Sequence, residues 1–375
     1  MGFHQAGLKG IVAIERDPMA FLTLQHNLIK GARVFDWPSW VAIAHHDIRD
    51  IIGKHEQQLM KLRGSVDVVA GGPPCQGFSH AGRRLEHDER NQMFIEYVRF
   101  VKLVKPRLIL FENVPGFAHS FWKSDGHKAP YIDKLSSELK SIGYEPPSQE
   151  IIDFSQFGVP QTRKRLIIIS GERGYDCQDF FDRLKLGRPR KKITTGEAIS
   201  DLVKSNGLVP CPDSGRFKSG VYGNQTSGYQ KKMRSRIRTE YPDSHRFANH
   251  SVEVEKRFMK LLDICTRNKS LDASSRAIMA IKKRSIIPLD ENGQSPTLTT
   301  LPDDYIHYSE PRILTVREYA RLQSFPDWYE FKGNYTTGGK RRAIEAPRYT
   351  QVANAVPPLA AAAIGKALIV ELGKR

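Results

Sequence analysis

Cysteine is scarce in this chain. Its 375 residues hold four, Cys75, Cys177, Cys211 and Cys265, with no Cys-x-x-Cys among them. That argues against a disulfide framework or a zinc site and fits a reducing, cytoplasmic setting. No apolar run approaches the roughly 18 residues a membrane span needs, and no charged-then-apolar leader opens the chain, so no membrane partner is expected. Internal repeats are missing, and 29 glycines with 22 prolines are ordinary usage, which removes collagen-like and low-complexity readings. Acidic residues are the other shortage: 41 Asp plus Glu face 58 Lys plus Arg, for a net +17. Hydrophobic residues at 39% and charged residues at 26% still describe a globular chain long enough for two domains.

The positive excess is local. Residues 160–285 carry 28 basic and 13 acidic residues, whereas the remainder carries 30 and 28. The stretch is arginine-rich, as in Arg234, Arg236 and Arg238 or Arg188, Arg190, Lys191 and Lys192. A solvated lysine-rich face is the bland account. Arginine forks fit phosphate oxygens and phosphate neutralisation releases counterions, so a polyanion partner is the better reading, with binding that falls steeply with salt.

The first half alternates short apolar runs with helical patterns. Ile11–Glu15, Val66–Gly71, Leu108–Phe111 and Leu166–Ser170 read as strands buried on both faces. Asn91–Val104 carries Met93, Phe94, Tyr97, Val98, Val101 and Val104 at helical spacing. The alternation predicts an α/β class with a doubly wound, mostly parallel sheet, whose chemistry sits at the carboxyl ends of the strands. After about residue 185 the composition turns basic and loop-rich, which marks a second, smaller domain. Residues 1–185 with 345–375 are expected to form the larger domain and 186–344 the smaller one with its docking segment. Helical patterns return at Val316–Gln323 and Leu359–Leu372, the latter packing back on the first domain.

Three strand ends carry candidate chemistry. Gly71-Gly72-Pro73-Pro74 turns tightly and then stiffens, presenting Cys75 where a thiol is exposed and ionised, as attack requires. A lone cysteine is otherwise a small buried hydrophobe. Glu112, at the end of a buried strand, has a raised pKa if desolvated and then carries a proton at neutral pH. Its bland alternative is a turn acid. Period-two alternation puts Gln161, Arg163 and Arg165 on one side of the strand they enter, which suits contacts to a substrate's phosphate and polar oxygen.

These residues bring a family into view. The blocks GFHQAGL (2–8), ERDPMA (15–20), HHDIRD (45–50), GGPPCQGFS (71–79), FENVPG (111–116), FGVPQTRKR (157–165), LTVREYARLQSFPDWY (314–329) and YTQVANAVPPLAAA (349–362) run through almost the whole chain. In their order they resemble a DNA cytosine-5 methyltransferase of the bacterial restriction–modification type. The resemblance implies methyl transfer from S-adenosylmethionine to C5 of cytosine in a specific duplex DNA sequence. Cys75 matches the thiolate that adds to C6, and Glu112 the acid at N3. Arg163 and Arg165 match the pair that steadies a flipped nucleotide. The segment 76–90, with Arg83 and Arg84, matches a loop that closes over the base. Cofactor contacts fall on Glu15 at the ribose, Asp47 and Ile48 at the adenine, and Gly72, Pro74, Asn354 and Val356 at the methionine end. Partners implied are double-stranded DNA and a cognate restriction endonuclease, with the methyltransferase itself a monomer. The block at 314–329 reads as structural, with Arg317, Glu318 and Arg321 in a buried ionic network.

One part of the family pattern has no match. A strand and glycine-rich loop that cradle the methionine part precede the block at 2–8 in the family, and no other glycine signature replaces them here. The expectation is a truncated reading of a longer gene or weak cofactor binding. The alternatives are therefore a catalytically weak or inactive DNA-binding remnant, and the tRNA-directed branch, whose Cys-Phe-Thr signature is absent from the smaller domain.

Overall fold

Continuous apolar runs, buried on both faces along Leu108–Phe111 and Leu166–Ile169, build the main sheet. Val68–Gly71 forms β1 and Leu108–Asn113 forms β2, parallel to each other with Val68 opposite Leu108. Ser148–Asp153 (β5) and Lys164–Gly171 (β6) complete it in the order β1-β2-β6-β5. Three short pairs stand apart: β3 (Ser120–Trp122) with β4 (Lys128–Pro130), β7 (Leu208–Pro210) with β8 (Lys218–Gly220), and β9 (Ile287–Pro288) with β10 (Tyr305–Ile306). This is a computed structural model. It describes residues 1–73, 93–118, 120–122, 128–186, 191–278, 281, 283, 285–339, 341 and 344–374.

The α/β class holds, but among the described strands the sheet is mixed rather than mostly parallel. β6 runs antiparallel to both β2 and β5. A parallel neighbour needs a crossover of about a dozen or more residues, usually helical. The connection from β5 to β6, residues 154–163, instead holds only a 3₁₀ turn, Phe154–Phe157, ended by Gly158 at φ 78°, and no helix to cross over. Ile11–Glu15 also departs from expectation. Its backbone is bonded at its ends, where Gly10 bridges Phe35 and the Glu15 carbonyl accepts His46 N–H at 2.8 Å. Among the described residues it has no ladder along its length, so it is extended chain rather than strand. β1 is correspondingly an edge strand, with Ala70 exposed.

The helices are α1 (Gly2–Ala6), α2 (Pro18–Leu24), α3 (Ile48–Lys61), α4 (Met93–Val104), α5 (Tyr131–Ser141), α6 (Phe180–Leu186), α7 (Thr195–Ile199), α8 (Gly228–Met233), α9 (Val252–Ile264), α10 (Ala273–Ile278), α11 (Val316–Leu322), α12 (Arg348–Asn354) and α13 (Pro358–Leu372). Ile109, Phe111, Leu166 and Ile168 face α4 and α5, where Val98, Val101, Leu135 and Leu139 meet them. Leu108, Leu110, Ile167 and Ile169 face α6 and α13, against Phe180, Ile364 and Leu368. α13 is alanine-rich because α1 crosses it closely: a Cβ on Gly2 would lie 2.4 Å from the Ala361 Cβ. By length and composition alone, Arg348–Leu372 passes as a membrane span, which amends the expectation that no such stretch exists. Its apolar side chains Ala360, Ile364 and Leu368 are instead buried on the sheet, and Pro357–Pro358 separates its two helices.

A second core gathers α7, α8, α11 and α12 around Tyr319 and Leu322, and includes Leu28 and Val34 from the early chain. Buried ions run through it. Arg321 pairs with Asp327 and, at 3.1 Å, with Asp201, all three fully buried. Arg317 reaches Asp243 at 3.1 Å. The Arg312 fork meets both oxygens of buried Glu318 at 2.8 and 2.7 Å, and Glu318 also closes a capping box with Thr315. Burial would raise the Glu318 carboxyl, but Arg312 overrides it and holds it at about 2. A depressed acid stabilises the fold above its unfolded pKa and loses that contribution as pH falls through the folded value. Equilibrium denaturation is therefore expected to show about 3 kcal/mol of stability lost between pH 4.5 and 2 from this group, a segment of the curve that Glu318→Gln flattens.

Candidate active site

Glu112 sits next to last on β2, the strand flanked on both sides. The antiparallel register places Glu112 opposite Ile167, so that Arg165 reaches it from the adjacent strand, Nε to Oε1 at 3.0 Å. Burial pushes the Glu112 carboxyl up, and Arg165 and then Arg163 pull partly against it, leaving it above its ordinary value. An acid in that state holds its proton to higher pH. Arg163 is 2% exposed, and its Nη2 donates to the Ala353 carbonyl at 2.6 Å. It thereby ties the entry of β6 to α12, next to Asn354. Gln161 departs from the expected site face. It is buried, accepting Leu298 N–H at 3.1 Å and donating to the Leu322 carbonyl, so it serves docking.

The turn after β1 is held against the same acid. A Cβ on Gly72 would lie 2.9 Å from Glu112 Oε2, so a larger residue there would push the carboxylate aside. Two residues the sequence reading left without a role fix this turn. Buried Asn113 donates from Nδ2 to the Pro73 carbonyl at 3.3 Å and accepts Val114 N–H at 2.9 Å. Tyr97 on α4 directs its hydroxyl at the Val69 and Leu110 carbonyls, 3.0 Å from each, with its ring beneath Gly71. Asn113 stood inside the FENVPG block, and Tyr97 passed as one apolar residue among several. Pro74, Cys75 and the loop with Arg83 and Arg84 lie outside the described residues. The three described cysteines are unlike an activated thiol. Burial pushes Cys177 up to about 12, and Cys211 and Cys265 are likewise raised.

Three of the expected cofactor residues, Glu15, Asp47 and Ile48, lie together. The Glu15 carbonyl holds His46, which brings Asp47 beside it. Ile48 packs with Val12, Ile14 and Val69, joining this group to β1. Asp47 caps α3, accepting Arg49 N–H at 2.9 Å; burial would raise it, but the Arg49 N–H and guanidinium bring it below its usual value. Glu15 accepts Asp17 N–H at 2.8 Å, and burial raises its pKa against that bond. It makes no ion pair among the described residues. A half-buried acid with no cationic partner among the described residues, at the end of an extended segment, suits the two hydroxyls of a ribose. At the other end, Asn354 is exposed and Val356 half-buried against the sheet core.

A match to the profile described as C-5 cytosine-specific DNA methylase runs over residues 1–370. The chain belongs to that family. It is a DNA (cytosine-5-)-methyltransferase of restriction–modification type. The Type II methyltransferase M.PspPI of Psychrobacter sp. is 32% identical over 378 residues, covering 98% of this methylase and 76% of that protein. M.DdeI of Desulfomicrobium norvegicum is 30% identical over 381 residues, covering 97% and 84%. The methylase also resembles a crystal structure described as a DNA modification methyltransferase encoded within an E. coli prophage. That likeness has a TM-score of 0.68 at 24% identity, covers 100% and 95% of the two chains, and speaks to the α/β fold.

Proposed function

We propose that this methylase transfers a methyl group from S-adenosylmethionine to C5 of a flipped-out cytosine in a specific duplex DNA sequence, through a covalent bond to Cys75. The observation that carries the reading is Glu112, buried with its pKa raised, paired to Arg165 and pressed against Gly72 on the turn that leads to Cys75. Cytosine C5 is a poor nucleophile. The Cys75 thiolate forms a bond to C6 while Glu112, protonated, donates to N3 and offsets the negative charge that reaches the ring. Electron density then resides at C5. S-adenosylmethionine, when bound, supplies the electrophilic methyl. Loss of the C5 proton and departure of Cys75 as thiolate restore the ring. Arg165 holds Glu112 in place, and with Arg163 it is assigned to the base's oxygen and its phosphate. Extrusion of the base costs a few kcal/mol of unstacking.

Glu15, Asp47 and Ile48 hold the adenosine half of the cofactor, and Gly72, Pro74, Asn354 and Val356 border its methionine half. Residues 186–344 form the target-recognition part, whose basic side chains position phosphates while a few reach base edges. The methylase acts in the cytoplasm as a monomer, alongside a restriction endonuclease of the same specificity. The test is transfer of labelled methyl from S-adenosylmethionine to duplex DNA with tRNA as competitor. DNA-directed transfer supports the reading. Transfer to tRNA instead, or sequence-preferring DNA retention without transfer, overturns it.

A further inference from the structure

A cleft of about 1000 Å³ lies away from the Glu112 cluster, between α13, α1 and α6 on one side and the segments around Met233 and Trp328 on the other. Its floor is apolar, with Leu28, Met233, Trp328, Leu359 and Val370 among the lining residues. No Asp or Glu lines it among the described residues, whereas His4, Arg183, Lys232, Arg236 and Lys366 do. Arg183 is already neutralised by Glu371 and Asp179. Lys232, Arg236 and Lys366 are exposed and make no ion pair among the described residues. Arg236 lies over the Trp328 ring at 5.8 Å. On the rim, Val370 is 53% exposed and Leu186 is 85% exposed.

We propose that this cleft docks an acidic amphipathic helix of a partner protein. The volume sits at the upper end of the roughly 300–1,000 Å³ range of small-ligand pockets, and of its uncharged polar side chains, Gln5, Ser235 and Ser324, the last is already occupied by Leu359 N–H, which leaves few to orient such a ligand. A nucleic-acid strand gains from stacked aromatic platforms. Here the floor is mostly aliphatic and its one tryptophan is covered by Arg236. A helix with leucine-like residues at i, i+3, i+4 and i+7 covers the floor, and carboxylates on its flanks meet Lys232, Arg236 and Lys366. Because the two walls belong to different parts of the chain, the occupant also bridges them.

The test uses the full chain and a fluorescent peptide of about four helical turns, leucine on one face and glutamate elsewhere, at physiological ionic strength to suppress diffuse attraction. Anisotropy is expected to give micromolar binding, weakened roughly tenfold or more by Lys366→Glu and by Val370→Glu. Both substitutions are on the exposed face of α13, and far-UV circular dichroism checks that the variants fold. A peptide of the same composition with its leucines scattered is expected to bind far more weakly. Equal binding of the scattered peptide, indifference to both substitutions, or displacement of the peptide by a single-stranded oligonucleotide overturns the assignment. So does a dimer of the free chain that Val370→Glu dissociates, because a second copy is then the occupant.

Discussion

Cys75→Ser is expected to reduce methyl transfer to duplex DNA by on the order of 10⁴-fold or more, the scale of losing a covalent nucleophile. Serine keeps the size and the turn, but its hydroxyl is far from ionised at neutral pH, so no bond to C6 forms. Glu112, Arg163 and Arg165 remain, so DNA binding is expected to persist in the variant. A duplex carrying 5-fluorocytosine at the target gives the sharper readout. Fluorine at C5 cannot leave as a cation, so the native chain is trapped as an adduct after methyl transfer, and the serine variant runs free on a denaturing gel. Full transfer activity in the variant, or an adduct on Cys177, Cys211 or Cys265, would remove Cys75 from the mechanism.

Arg321→Ala is expected to destabilise the fold by about 3–5 kcal/mol, the usual result of stripping one partner from a buried ionic group. Arg321 stands between Asp201 and Asp327, and all three side chains are fully buried. Its removal leaves two carboxylates facing each other without water. Tyr222, which donates to Asp327 at 2.7 Å, and Arg234, 3.1 Å from Asp201, supply only part of what is lost. Arg321→Lys is expected to recover little, because one ammonium cannot present paired donors to two acids. Chemical denaturation of the three proteins measures the effect, and a loss below about 1 kcal/mol would mean that the alanine variant repacks or admits water.

Much of the fold was legible where one residue's chemistry settles the matter. The runs at 108–111 and 166–169 are apolar without interruption and form the buried β2 and β6. Ser148–Asp153 carries little strand signal because only Ile152 is deeply buried along it, the mark of an edge strand that sequence alone shares with loops. Ile11–Glu15 has the composition of a strand, but a ladder also needs a neighbour in register, and none pairs with it along its length among the described residues. The site divides the same way. The motif blocks located Glu112, Arg163 and Arg165, whereas the contact between Arg165 and Glu112 comes from β6 running antiparallel, a fact stored in the short connection before it. The bond from Asn113 to Pro73 likewise joins segments forty positions apart and has no local signature.

The close crossing of α1 on α13 has a consequence for synthesis. Ribosomes deliver a chain from its N-terminal side at about 5–20 residues per second. α1 therefore waits, for on the order of half a minute at that rate, until its partner at 358–372 emerges. Through that interval Leu110, Ile167 and Ile169 lack the cover that Ile364 and Leu368 later give. The nascent polypeptide is thus a natural client for chaperones until its closing clasp arrives.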